Sequence, residues 1–311
     1  MDANIHRYVQ AATRDNTRRS YRSAIEHFES TWGGFLPATA DSIARYLSSY
    51  AGILAFNTLK QRMAAIAQWH IDQGFPDPTK TPLVKKVLKG IRELHPSIDV
   101  QAKPIQLDQL QIVVDYLDRT ILIAKQDSDT ASLLQSQRDK AFVLIGFWRG
   151  FRSDELRRLE IQHIEVTPGE GMSLFLPRTK TDKQQKGTTY KVPVLSRLCP
   201  VDAYLDWIHS ASLKQGPVFR RIDRWGKCGD QPLHANSIIP LLRKLFHKAG
   251  IENAEAFGSH SLRRGFATWA GQNQWDVKSL MEYIGWKDMK SALRYIEIND
   301  AFCRTRIESL L

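Results

Sequence analysis

Pro96 and Pro104 bracket a stretch with no apolar periodicity, Pro-Ser-Ile-Asp-Val-Gln-Ala-Lys-Pro, about a third of the way along a chain of 311 residues. Proline fixes its own φ and drives the residue before it to extended backbone, so this stretch reads as a linker. It predicts two domains, residues 1–96 and 105–311, joined by a linker at 97–104. Each flank is long enough to bury a core of its own.

Residues 1–96 read as helical throughout. Tyr21, Ala24, Ile25, Phe28 and Trp32 recur at helical spacing, and Gly33-Gly34 with Pro37 ends that segment. A second helix is expected from about Thr39, carrying Ile43, Leu47 and Tyr50. A third is expected to open at Asn57 as its cap, to bury Leu59, Met63, Ile66 and either Trp69 or His70, and to stop at Gly74. Thr81-Pro82 places proline at a first helical position and opens a fourth helix with Leu83, Val87, Leu88, Ile91 and Leu94 inward. Four short helices with brief loops make a small bundle.

Beyond the linker, helices are expected near 107–118, 137–148, 153–160, 200–211, 235–249, 260–272, 276–284 and 288–298. Met172 to Pro177 and Thr189 to Val194 alternate as strands do, around a polar, lysine-rich loop. The fold class is therefore mainly α with a small β-sheet (α+β).

Charge narrows the partner. The chain carries +11, and residues 1–96 hold 13 basic against 8 acidic side chains. That balance favours an anionic polymer, with the smaller part the more basic per residue. Cys199, Cys228 and Cys303 lie far apart with no paired spacing, which suits reduced thiols rather than a disulfide frame or zinc site. The start has no signal-peptide pattern, and the most apolar run, Ala141 to Trp148, is far short of the ~18 residues of a membrane span. A soluble, cytoplasmic, nucleoid-associated protein with no membrane partner is expected.

The chemistry concentrates near the C-terminus. In Ser259-His260-Ser261-Leu262-Arg263-Arg264-Gly265, His260 and Arg263 share a helix face. Trp286 follows the expected helix stop Gly285, and Tyr295 comes nine residues later. A guanidinium, an imidazole, an indole N–H and a phenol suit attack on a phosphodiester, with Arg263 on the non-bridging oxygens and Tyr295 as covalent nucleophile. His260 would assist proton transfer or donate to the same phosphate. Each has a plainer reading: histidine at a helix start, surface arginine, core tryptophan, core tyrosine. Arg152, in Gly150-Phe151-Arg152-Ser153-Asp154-Glu155-Leu156, is either a surface partner of Glu155 or a guanidinium fixed at a helix start to grip phosphate. Lys180, at the exit of the first strand, suits protonation of a leaving alkoxide, with Lys183 the competing choice. Arginines supply the charge neutralisation in this scheme, so neither a metal nor a cofactor is expected.

In this order and spacing, these residues resemble the tyrosine recombinase (phage integrase) family, in its Cre-like, minimal two-domain form. Gly-Phe-Arg-Ser-Asp-Glu-Leu resembles the first arginine box, with Arg152 catalytic and Glu155 the supporting acid. His260-Ser-Leu-Arg263 resembles the second, and Ile284-Gly285-Trp286 with Tyr295 the terminal box. The resemblance implies two domains clamping duplex DNA, a 3′-phosphotyrosyl intermediate at Tyr295, and strand exchange within a tetramer on two sites without ATP or metal. It implies that the tail from Ala301 docks into a neighbouring protomer, burying Phe302, Ile307, Leu310 and Leu311. An accessory directionality factor is a further candidate partner, and no arm-binding domain is expected before residue 1. DNA-contact candidates are Arg18, Arg22, Lys60, Arg62 and Lys86 in the bundle, with Asn236, Arg243 and Lys244 on the helix near 235. The same resemblance implies that the helix near 235 enters the major groove, where Asn236 would read adenine. Two competing readings are a type IB topoisomerase and a DNA-binding regulator that has lost catalysis.

Overall fold

The computed structural model describes residues 4, 7–8, 12–13, 15–96, 101–177 and 186–293. The chain divides into two compact units, Met1–Val100 and Gln101–Leu311.

In the first unit α1 (Asp15–Glu26) runs into a wider π turn (His27–Thr31), followed by α2 (Ala40–Ser49), α3 (Phe56–Asp72) and α4 (Pro82–Leu94). Local chemistry sets these ends. The Thr39 hydroxyl accepts from the Ser42 N–H at 3.1 Å and caps α2, and Pro82 opens α4 where its missing N–H costs nothing. Phe28, Ile43, Tyr46, Leu47, Leu59, Ile66, Val84 and Ile91 form the core.

Two details differ from the sequence reading. Ala55, not Asn57, is the N-cap of α3, because the backbone is still extended at Ala55 and helical from Phe56. In α4 the buried stripe runs through Val84 and Ile91, with Val87 and Leu88 half-buried, while Leu83 and Leu94 lie off that stripe and are exposed.

Of Trp69 and His70, His70 is the inward one. It is buried and doubly bonded: Nδ1 lies 2.8 Å from the Ile66 carbonyl, and Nε2 accepts from the Ala38 N–H at 2.9 Å. A carbonyl can only accept, so the ring is the neutral tautomer with its proton on Nδ1. The imidazole thereby ties the loop before α2 to α3.

The second unit is built on α6 (Thr130–Trp148), which is buried continuously from Ala141 to Phe147. A helix apolar on all sides must be covered on all sides. α5 (Leu107–Gln126), α8 (Pro200–Ser210) and α10 (Ser261–Gln272) pack against it. A short α7 (Ser153–Arg157) leads into an antiparallel sheet, β1 (Ile164–Thr167), β2 (Gly171–Leu176) and β3 (Thr188–Pro193), ordered β1-β2-β3. Leu174 faces Tyr190 and Met172 faces Val192, which puts the buried side chains of β2 and β3 on one face. A separate hairpin, β4 (Arg220–Ile222) and β5 (Cys228–Pro232), precedes α9 (Ala235–Lys248), and α11 (Val277–Ile284) and α12 (Met289–Leu293) follow α10. None of the described helices is long and apolar enough to cross a membrane.

Residues entering the second unit lie along the start of α10. The Lys103 N–H donates to the Ala256 carbonyl (2.9 Å) and the Ile105 N–H to Ser261 (3.3 Å). A Cβ on Gly265 would sit 2.2 Å from the Ile105 carbonyl oxygen, so only glycine lets this backbone lie against the helix.

Replacing His70 with phenylalanine keeps a ring in place but strips the buried Ala38 N–H of its acceptor. The expected cost is about 1–3 kcal/mol, read from the midpoint of chemical denaturation. An unchanged midpoint would show that the loop does not depend on this bond.

Candidate active site

Arg152 is the N-cap of α7, where the chain turns out of α6 through Gly150 at φ +58°. Its backbone N–H donates to Glu155 Oε2 (2.8 Å), and its Nη1 donates to Oε1 of the same carboxylate (2.7 Å). Arg152 thus pairs with Glu155 and stands at a helix start. The pair is not a surface one: Glu155 keeps 4% of its side-chain area and Arg152 22%. The Arg152 side chain thus stays partly accessible.

Arg263 comes to the same place from more than a hundred residues away. It lies one turn into α10, is 1% exposed, donates from Nη1 to the Gly150 carbonyl (2.7 Å), and has that nitrogen 3.7 Å from Glu155 Oε2. The Ser153 hydroxyl donates to the Ser259 carbonyl (3.0 Å), fastening the start of α7 to the turn before α10. His260, on that turn, is exposed, and its carbonyl accepts from the Arg264 N–H at 2.9 Å.

Gly285 closes α11 at φ +79°, a conformation open to glycine at no steric cost, and delivers Trp286. The Trp286 ring is buried with its centroid 5.1 Å from the Arg263 guanidinium carbon, a cation–π contact. The structure thus brings Arg152, Glu155, Arg263 and Trp286 into one continuous cluster with His260 beside it. Lys180, Lys183, Tyr295 and the tail from Ala301 lie outside the described residues.

Sequence reasoning missed the side chains behind this cluster. Arg149 is buried between the rings of Tyr190 and Tyr283, and Tyr283 donates to the Trp148 carbonyl at 2.9 Å. Burial raises the Tyr190 phenol above its ordinary pKa and Glu155 adds to the rise, while Arg149 and Arg263 oppose it. Burial raises Tyr283 likewise, against Arg149. The only signal in the sequence was a second arginine three residues before Arg152.

The residues expected to touch DNA are differently disposed. Arg22, Lys60, Lys86, Asn236 and Lys244 are exposed. Arg18 pairs with Asp15, and His234 Nδ1 accepts from the Asn236 backbone N–H (3.2 Å), capping α9. Arg62 instead turns into the bundle, with Nη1 2.8 Å from a ring nitrogen of His27 and 3.3 Å from the Tyr46 hydroxyl. Burial, with Arg62 beside it, holds the His27 imidazole below its ordinary pKa. Arg243 is engaged with the Phe257 carbonyl (2.9 Å) and Glu255 (2.8 Å).

The model of the phage integrase family matches residues 120–301, more than half of the chain, and spans every box described above. This chain belongs to the phage integrase family, the tyrosine recombinases. An integrase/recombinase xerD homolog of Selenomonas ruminantium is 29% identical over 306 residues, 95% of this chain and 85% of its own. Recombinase cre of Escherichia phage P1 is 22% identical over 287 residues, 86% of this chain and 78% of its own. Among solved structures, the XerH site-specific recombinase bound to a palindromic difH substrate superposes with a TM-score of 0.62 at 18% identity, over 94% of this chain and 78% of that one. That likeness establishes the recombinase fold. The segments that this fold joins through Glu155, around Arg152 and around Arg263, both lie within the matched span.

Glu155→Ala removes the buried carboxylate that Arg152 and Arg263 share. Leaving two cations without it should destabilise the protein by about 3–5 kcal/mol, measured by chemical denaturation. A loss below about 1 kcal/mol would mean the carboxylate is not what holds the arginines.

Proposed function

We propose that this recombinase cuts and rejoins duplex DNA at specific sites, with Tyr295 as the nucleophile. The observation that carries this reading is the meeting of Arg152 and Arg263, one from each arginine box, on a single buried carboxylate. Two guanidiniums around one carboxylate leave a net positive site, suited to the extra charge of a pentacoordinate phosphorane.

The Tyr295 oxygen forms a bond to phosphorus as the bond to the 5′-oxygen breaks. The departing oxygen takes a proton from Lys180 or Lys183, leaving a 3′-phosphotyrosyl link and a 5′-hydroxyl. His260, exposed beside the cluster, receives the phenolic proton or donates to the phosphate. A 5′-hydroxyl from the partner strand then attacks the phosphotyrosine and frees Tyr295, so phosphodiester bonds are conserved. Arg152 is the more open of the two arginines and meets the phosphate first. Arg263, held in place with the Trp286 ring packed over its guanidinium, backs the same phosphate.

Exposed Arg22, Lys60, Lys86, Asn236 and Lys244 are the DNA contacts in this reading, while Arg62 supports the bundle from within. Strand exchange requires a tetramer on two sites, held by the tail from Ala301 docking in trans through Phe302, Ile307, Leu310 and Leu311.

On a nicked duplex that traps the intermediate, the wild-type chain should form a covalent adduct and Tyr295→Phe should bind but form none. An adduct surviving in Tyr295→Phe would displace Tyr295 as nucleophile. Arg152→Ala and Arg263→Ala should each slow adduct formation about 10²–10³-fold. Affinity for DNA should fall steeply with added salt as phosphate contacts release counterions; a flat salt dependence would argue against the basic residues as contacts.

A further inference from the structure

Arg149 is a buried cation that the scheme above does not use. It caps the C-terminus of α6, its N–H donates to the Ile145 carbonyl at 3.0 Å, and it is 5% exposed. Its guanidinium carbon lies 4.6 Å from the Tyr190 ring centroid and 4.1 Å from that of Tyr283. Nε and Nη1 have no hydrogen-bond partner among the described residues, so the two ring faces, together with a hydrogen bond from the guanidinium to the Tyr283 hydroxyl, are its support. A desolvated cation is costly to bury and is kept where its charge is used.

The three elements it joins are those that set the site. Tyr190 belongs to β3, and a Cβ on Gly285 would meet the Tyr190 ring and hydroxyl at 3.4 Å, so this tyrosine seats the turn that delivers Trp286. Tyr283 belongs to α11, two residues before that turn, and its hydroxyl is bonded to the Trp148 carbonyl. Gly150, next to Arg149, presents the carbonyl that receives Arg263, and a Cβ there would lie 3.3 Å from Ile284. β3, α11 and the turn between α6 and α7 therefore meet at one side chain. Burial lowers the Arg149 pKa, with the two phenols and Glu155 acting the other way.

We propose that Arg149 is a positioning residue for DNA cleavage: its guanidinium, clamped between Tyr190 and Tyr283, locks β3 and α11 onto the α6–α7 turn and so sets Trp286 against Arg263. This rests on the cleavage reading above. Arg149 touches no reacting atom. It acts through the alignment of Arg263 and Trp286, and retention of a cation between the rings is the requirement.

The test compares wild type, Arg149→Met and Arg149→Lys for single-turnover adduct formation on a nicked duplex, for DNA affinity by mobility shift, and for thermal unfolding. Arg149→Met fills the space without charge. It should bind DNA within ~3-fold of wild type and cleave ~10- to 100-fold more slowly, the scale of a small misplacement in an active site. Arg149→Lys, still a cation between two rings, should recover most of that rate. The inference is overturned if Arg149→Met cleaves at the wild-type rate, if its affinity falls in step with its rate, or if Arg149→Lys is no better than Met. Should Arg149→Met fail to fold, Tyr283→Leu removes one ring face and carries the same expectation, a slower rate at unchanged affinity, with the same reversal if the rate is unaffected. A wild-type chain that forms no adduct overturns the cleavage reading itself, a separate result that is seen before any variant is compared.

Discussion

A single buried carboxylate organises this molecule. Glu155 accepts from the backbone and the guanidinium of Arg152 and faces the guanidinium of Arg263, so two segments far apart in the chain share one anionic anchor. Three arginines and one glutamate in a dry setting do not balance, and the surplus positive charge persists only because the backbone helps. The Gly150 carbonyl takes one Arg263 donor, and aromatic faces flank Arg263 and Arg149. Such a cluster is costly to assemble for stability alone.

Packing in the second unit serves that cluster. α6 is buried along its second half, and the side chains at its end, Trp148 and Arg149, are held by the Leu198 carbonyl, Tyr283 and Tyr190. A rigid α6 fixes the turn at Gly150, and that turn sets Arg152 beside Glu155 while its carbonyl fixes Arg263. The aromatic group Trp148, Phe266, Trp269, Trp275 and Tyr283 packs edge to face around α10 and α11, with Phe266 and Tyr283 stacked, and leaves them little freedom.

What could be read from the sequence followed the strength of local signals. Thr81-Pro82 marked the start of α4, and β2 and β3 were read one residue late because alternation locates a strand better than its ends. β1 is four residues long, too short for a period to show, and β4 and β5 carry Arg220, Arg221, Gly229, Asp230 and Pro232, which have little strand character. They form because the Asp223 carboxylate accepts from the Trp225 and Lys227 N–H groups and tightens the turn between them. α5 continues eight residues past its expected end at 118, where Leu122 and Ile123 point to solvent and blur the amphipathic pattern. In the site, Arg152 and the pair His260 and Arg263 stood out through spacing and helix-start chemistry. Arg149 did not, because what gives it meaning is a pair of rings from Tyr190 and Tyr283, distant in the chain.

The bare backbone at Gly265 bears on how this protein can be divided. Residues 103–105 lie against α10 as a strap, bonded at Ala256 and Ser261 and seated over Gly265. A catalytic fragment cut just after Pro104 would lose the Lys103 bond, and Ile105, whose carbonyl fills the notch over Gly265, would become a loose chain end. Starting the fragment at Gln101 keeps the strap and also the Gln101 side chain that accepts from Arg264, next to Arg263. The natural seam between the two units therefore falls ahead of the strap.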